Sequence, residues 1–184
     1  MSRPFPDASR RIASGYQPQH ILLPASPAFV WFSTAAAFAI NLLPWGQWFW
    51  VPDFLALVLV FWNIHQPRKL GIGAAFAFGL MMDVHEASLL GEHALAYTLL
   101  SYFAITLHRR VLWFSLPAQA AHVLPLLLTA QVVMLAIRAA VGSGFPGWLY
   151  FLESFVGAAL WPLITALLLA PQRRAIDKDH TRPI

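Results

Sequence analysis

Six apolar runs, at about 27–44, 52–65, 70–86, 92–108, 117–140 and 148–170, take up most of this chain and leave only short connections between them. A helix that crosses a bilayer needs roughly 20 predominantly apolar residues. The runs therefore predict an all-α integral membrane protein with six transmembrane helices. The second and third runs are short for a crossing and call for tilt, extension at their ends, or a partly re-entrant path. Composition agrees: 59% of the 184 residues are hydrophobic and 11% charged, where soluble domains hold roughly 45–50% and 25%. A chain of this size cannot hide such an excess in one water-soluble core. A soluble enzyme, a disordered tail and a small disulfide scaffold are excluded, and no loop is long enough to fold as an aqueous domain. There is no cysteine, so there is neither a disulfide nor a thiolate metal site.

The cations set an expected orientation. Arg3, Arg10, Arg11, Arg68, Lys69, Arg109, Arg110, Arg173, Arg174, Lys178 and Arg182 all fall in segments 1–26, 65–69, 109–116 and 171–184, which alternate about the six runs. Of the twelve Lys and Arg residues, Arg138 alone lies toward the other side. Positive residues mark cytoplasmic loops, so both termini are expected in the cytoplasm. The expected organisation is a flexible cytoplasmic tail over 1–26, a membrane domain over 27–170 and a cytoplasmic tail over 171–184. The first run is long enough to be retained as a helix, and no small-residue cleavage site follows it. Trp45, Trp48, Trp50 and Trp148 are expected at the outer interface, and Trp62 and Trp113 near the inner one. The basic segments are short and scattered, which disfavours nucleic acid and suits contact with anionic lipid.

Ionisable residues at membrane depth are functional candidates by default. Asp53, Asp83, Glu86, Glu92, Arg138 and Glu153 all map to the outer half, with His85 and His93 close by. They are candidates for a polar cavity or a partner-docking cluster. The plainer reading places Asp53 and Glu153 near helix N-termini, which favour anions, and pairs Arg138 with one of Asp53, Asp83 and Glu153. Asp83 is expected to act in helix-end packing or docking rather than catalysis, and Gly91 to make the turn into the fourth helix.

Small residues four apart, Gly73 with Ala77 and Ala75 with Gly79, are expected to let helices approach closely. Pro125 and Pro162 fall inside the fifth and sixth runs, where each removes a backbone hydrogen bond and is expected to kink its helix. Enzyme motifs fail: His85-Glu86 is followed by Leu89 where a zinc-protease motif needs His. No nucleophile elbow or phosphate loop occurs. Gly73-Ala74-Ala75-Phe76 is similar to a stretch of the lipoprotein signal peptidases, with Asp53 and Asp83 as a conceivable dyad, but Gly71-Ile72 replaces their preceding Asn. Their second Asp has no matching context here. No catalytic residue, metal or cofactor is expected.

From Val51 to Phe103 the chain reads Pro52-Asp53-Phe54, Phe61-Trp62, Pro67-Arg68, Gly71-Ile72-Gly73, Phe76, Gly79-Leu80-Met81-Met82-Asp83, Leu90-Gly91-Glu92-His93-Ala94-Leu95 and Tyr102. Later comes Gly157-Ala158-Ala159-Leu160-Trp161-Pro162. This pattern resembles the MreD family of bacterial rod shape-determining membrane proteins. Phe61 stands where that family often has Tyr, and Ala87 where Gly is frequent. The resemblance implies a six-helix fold similar to the substrate-binding components of energy-coupling-factor transporters. It also implies a non-enzymatic scaffold of the elongasome in the inner membrane, binding MreC within a wider complex of MreB, RodA and its transpeptidase. An alternative reading of the acidic outer half is a small-molecule or lipid pocket in the style of those transporter components.

Overall fold

A computed structural model describes residues 25–45 and 50–172. The expected tails, apart from Ala25, Ser26, Pro171 and Gln172, lie outside the described residues, as does Trp48. Six α-helices follow one another: α1 Pro27–Asn41, α2 Phe54–His65, α3 Gly71–His85, α4 Glu92–Leu112, α5 Leu116–Ala140 and α6 Leu152–Leu169. A 3-10 turn, Trp148–Phe151, leads into α6, and another, Ala170–Gln172, follows it.

Local chemistry sets the helix starts. Ser26 caps α1 by accepting from the Phe29 N–H at 3.2 Å, and Pro27 fills the first turn, where its missing donor costs nothing. Asp53 caps α2. Gly91 enters α4 at φ +103°, a left-handed conformation open to glycine at little cost. Ala87 holds φ +50° in the same α3–α4 turn, at the position where glycine is frequent in the resembling family. α5 and α6 continue through Pro125 and Pro162.

α2 is the axis of the bundle. It packs against α1, α4, α5 and α6, and ten of its twelve residues are buried. α3 packs along α4, α4 along α5, and α5 along α6. Burial on every side explains why α2 is apolar all round rather than striped. Trp62, expected at an interface, is instead fully buried, its Nε1 donating to Ser33 Oγ at 2.9 Å. A core position wins because the ring packs on Phe29 and Phe61 while its one polar atom is satisfied. Trp45, Trp50, Trp113 and Trp148 are exposed.

Helix length separates the elements. Among the described residues, Leu116–Ala140 and Trp148–Gln172 are long and apolar enough to cross a membrane. At 1.5 Å per residue, α1 and α3 (15 residues each) rise about 22 Å and α2 (12 residues) about 18 Å, short of a hydrocarbon core of about 30 Å. The outward faces are nonetheless apolar: Phe32, Val84 and Leu167 are each about 70% exposed. Large exposed apolar surfaces mark contact with lipid or other proteins.

The two small-residue pairs of α3 part company. Ala75 and Gly79 face the bundle, and a Cβ on Gly79 would meet the Ala94 backbone at 2.4 Å. Gly73 and Ala77 are exposed, and Gly73 has nothing within 4 Å of a Cβ position. Close packing at Gly73 and Ala77 is therefore not made within this chain; the inward face of α3 falls on the other pair.

Candidate functional site

The ionisable residues read from the sequence gather at one end of the bundle, in three groups. The first ties α1 to α2. Asp53 Oδ1 accepts from the Ala56 N–H at 2.8 Å and from Asn41 Nδ2 at 2.7 Å, while Oδ2 accepts from the Tyr97 hydroxyl at 2.6 Å. Asn41 Oδ1 in turn accepts from the Phe54 N–H. A helix start leaves N–H groups without partners, and Asp53 with Asn41 supplies two of the missing acceptors.

The second group closes the turn between α3 and α4. Asp83 is 1% exposed. Its Oδ1 accepts from the His93 N–H at 2.7 Å, His93 Nδ1 at 2.9 Å and Ser88 Oγ at 3.2 Å. Its Oδ2 accepts from the Gly91 N–H at 2.8 Å and the Ala94 N–H at 3.4 Å. An anion at a helix N-terminus meets both free donors and the positive end of the helix dipole. Asp83 thus caps α4 from the end of α3. His93 Nε2 lies 3.5 Å from Glu86 Oε2, so the imidazole sits between two carboxylates.

The third group is an ion pair. Arg138 Nε donates to Glu92 Oε1 at 2.5 Å. This corrects the expected partner, which was Asp53, Asp83 or Glu153. Asp53 and Asp83 are taken up by helix caps, and Glu153 accepts from Gln131 Nε2 at 3.1 Å. Glu92, buried at the first turn of α4, faces α5 and takes the guanidinium. Arg138 Cζ also stands 5.9 Å from the Tyr150 ring centroid. Ser154 Oγ donates to Gln131 Oε1 at 2.6 Å, and Gln131 Nε2 also donates to the Tyr150 carbonyl at 2.9 Å.

These groups frame a cavity of about 410 Å³. Asp53, Glu86, His93, Arg138 and Glu153 line it; Asp83 and Glu92 do not, being committed behind its wall. Gly79 brings α4 against α3 just below Asp83. Pro162 lies deeper in α6, beside the buried Trp161. Sequence reading missed Asn41, Tyr97, Gln131 and Ser154. Their available signal is a polar residue within an apolar helix, a weaker one than charge.

The arrangement is one of structural capping and pairing. Asp53 and Asp83 belong to separate hydrogen-bond networks, unlike a proton-sharing dyad. His93 presents its second nitrogen to Glu86 rather than to a hydroxyl nucleophile. Among the described residues, no group of three or more Asp, Glu, His or Cys is placed to hold a metal ion.

Among the described residues, fold and site together define an all-helical bundle with an apolar exterior, two helices fit to span a membrane, and a polar end built from caps and an ion pair. Residues 22–170 match the MreD family, described as rod shape-determining protein MreD. Rod shape-determining protein MreD of Haemophilus influenzae (strain ATCC 51907 / DSM 11121 / KW20 / Rd) is 29% identical over 154 residues, covering 78% of this chain and 93% of that relative. No solved structure matches this chain. The chain belongs to the MreD family of rod shape-determining proteins.

Proposed function

We propose that this chain is a multi-pass protein of the bacterial inner membrane and a non-enzymatic scaffold of the cell-wall elongation machinery. In this reading it binds MreC and works beside MreB, RodA and its transpeptidase, supporting lateral peptidoglycan synthesis and rod shape. The observation that carries the reading is the family match over residues 22–170, a stretch that takes in every described helix. The apolar outward faces support it, because they need lipid or partner helices around them.

All six helices would be embedded with both termini in the cytoplasm, in a bundle similar to the substrate-binding components of energy-coupling-factor transporters. Arg68, Lys69, Arg109 and Arg110 would then lie at the cytoplasmic face, and the polar end with its cavity at the outer face. The short α1–α3 would be accommodated by local bilayer thinning and by their helical neighbours.

Co-purification of the full chain with MreC after detergent extraction tests the scaffold role. Stable association is expected, together with loss of rod shape on deletion; no association and normal rods would sink the reading. Topology is separately checkable because the chain has no cysteine. Ser143→Cys should react with a membrane-impermeant maleimide from the outside, and Lys69→Cys should not.

A further inference from the structure

The cavity at the polar end receives residues from all six helices, among them Asn41, Asp53, Met82, Tyr97, Gln131 and Glu153. Its volume, about 410 Å³, falls in the range of roughly 300–1,000 Å³ usual for small-molecule pockets. Its walls are held in place. Asp53 is satisfied by three donors, and Gln131 is bonded to Ser154, Glu153 and a carbonyl. A wall fixed in this way keeps its shape without an occupant, which lowers the cost of binding one.

The charge of the lining is one-sided. Asp53, Glu86 and Glu153 face the cavity against one guanidinium, Arg138, and the imidazole of His93. That guanidinium is already neutralised from behind by Glu92, which is outside the lining. Glu86 is the least engaged of the three: its side chain is 42% exposed and its ionic contact is the 3.5 Å approach of His93 Nε2. Glu153 accepts from Gln131 at 3.1 Å and from the Asp53 N–H, and a carboxylate has acceptor sites beyond two. Tyr97 and Tyr150 add aromatic side chains to the lining, and the Tyr150 ring already has Arg138 Cζ 5.9 Å from its centroid.

We propose that this cavity binds a ligand through a positively charged nitrogen, a primary or quaternary ammonium group held between Glu153 and Glu86. An anion would be repelled by the same carboxylates. A neutral guest would leave the remaining acceptor capacity of Glu86 and Glu153 unused. The ammonium can belong to a free organic amine or to an amine-bearing lipid headgroup entering from the side of the bundle. This inference does not depend on the scaffold reading.

The test uses the full chain in a neutral detergent, read by thermal unfolding and by native mass spectrometry. Choline and ethanolamine are the free probes, and 3,3-dimethylbutan-1-ol is the uncharged isostere of choline. Nanodiscs of phosphatidylethanolamine and of phosphatidylglycerol are the lipid arms. Binding of choline or ethanolamine, without response to the isostere, is expected if the source is a free amine. Selective retention of phosphatidylethanolamine without a response to the free probes is expected if it is a headgroup. In either case Glu153→Gln and Glu86→Gln should each weaken binding by about tenfold or more. If Glu153→Gln fails to fold, the part-exposed Glu86→Gln carries the test. The proposal is overturned if no amine source binds, if the uncharged isostere binds equally well, or if affinity survives in the folded variants. Retention of MreC is measured on the same variants. Its persistence alongside absent amine binding would refute this inference while leaving the scaffold reading standing.

Discussion

The two halves of α2 pass through different surroundings. Near Asp53, Ala56 and Leu57 the facing residues include Ala130, Ser154 and Gly157, and together they border the cavity. One turn further, Phe61 stacks on His65 with centroids 4.1 Å apart and meets Trp62 at 4.9 Å and Trp161 at 6.1 Å. There both tryptophans are fully buried. Small side chains leave volume at one end, and large rings fill it at the other. Polar groups at the filled end are few: Trp161 Nε1 donates to Gln119 Oε1 at 3.3 Å and Asn63 Nδ2 to Ser101 Oγ at 2.9 Å, while Asn63 Oδ1 and Thr165 Oγ1 are buried without a hydrogen-bond partner. The open end is held by caps and an ion pair instead. Dispersion and burial hold one end, while directed polar contacts hold the other.

Trp161→Ala should break the packed end most severely. Removing a buried Trp side chain costs about 4 kcal/mol, measured as a lowered unfolding midpoint in detergent. If the loss is smaller than that of any change at the cavity end, the division between the two ends is wrong. Arg138→Ala should cost about 3 kcal/mol by stranding the buried Glu92. Adding Glu92→Gln should recover part of that loss, and a strictly additive double mutant would show that the pair is not coupled. The smallest effects come from two helical glycines. Gly79→Ala should cost about 2 kcal/mol by overpacking, because its new Cβ meets Ala94 backbone at 2.4 Å. Gly157→Ala meets the movable Leu127 Cδ1 at 3.1 Å, and its gain in helix propensity of about 1 kcal/mol should leave stability nearly unchanged. Equal losses at the two glycines would mean that the cavity wall is as rigid as the α3–α4 contact.

Much of the helical layout was legible. Asp53 and Gly91 act within one turn of their own positions, so these helix starts can be read locally. The clustering of Asp53, Asp83, Glu86, Glu92, Arg138 and Glu153 at one end also followed from counting apolar runs, since antiparallel neighbours return the chain to the same end. The partner of Arg138 was not legible. Glu92 lies 46 residues away, and several carboxylates at similar depth compete for one guanidinium. Trp62 was misplaced for a related reason: indole suits both an interface and a core, and burial of α2 on all sides decided between them.

By itself, the sequence determined an apolar, all-helical chain, the places of its six helices, its basic connections and its family. These depend on residue type and short spacing, which carry the hydrophobic and capping terms. Tertiary structure alone decided that Asp83 caps the following helix, that Gly79 rather than Gly73 faces the bundle, and that Glu92 receives Arg138. It also decided that six helices, with small side chains at Ala56, Ala130, Ser154 and Gly157, leave a cavity beside Glu153. Each of these depends on the rotation and crossing of helices about their axes, set by how whole side-chain surfaces interlock, which spacing along one chain does not encode.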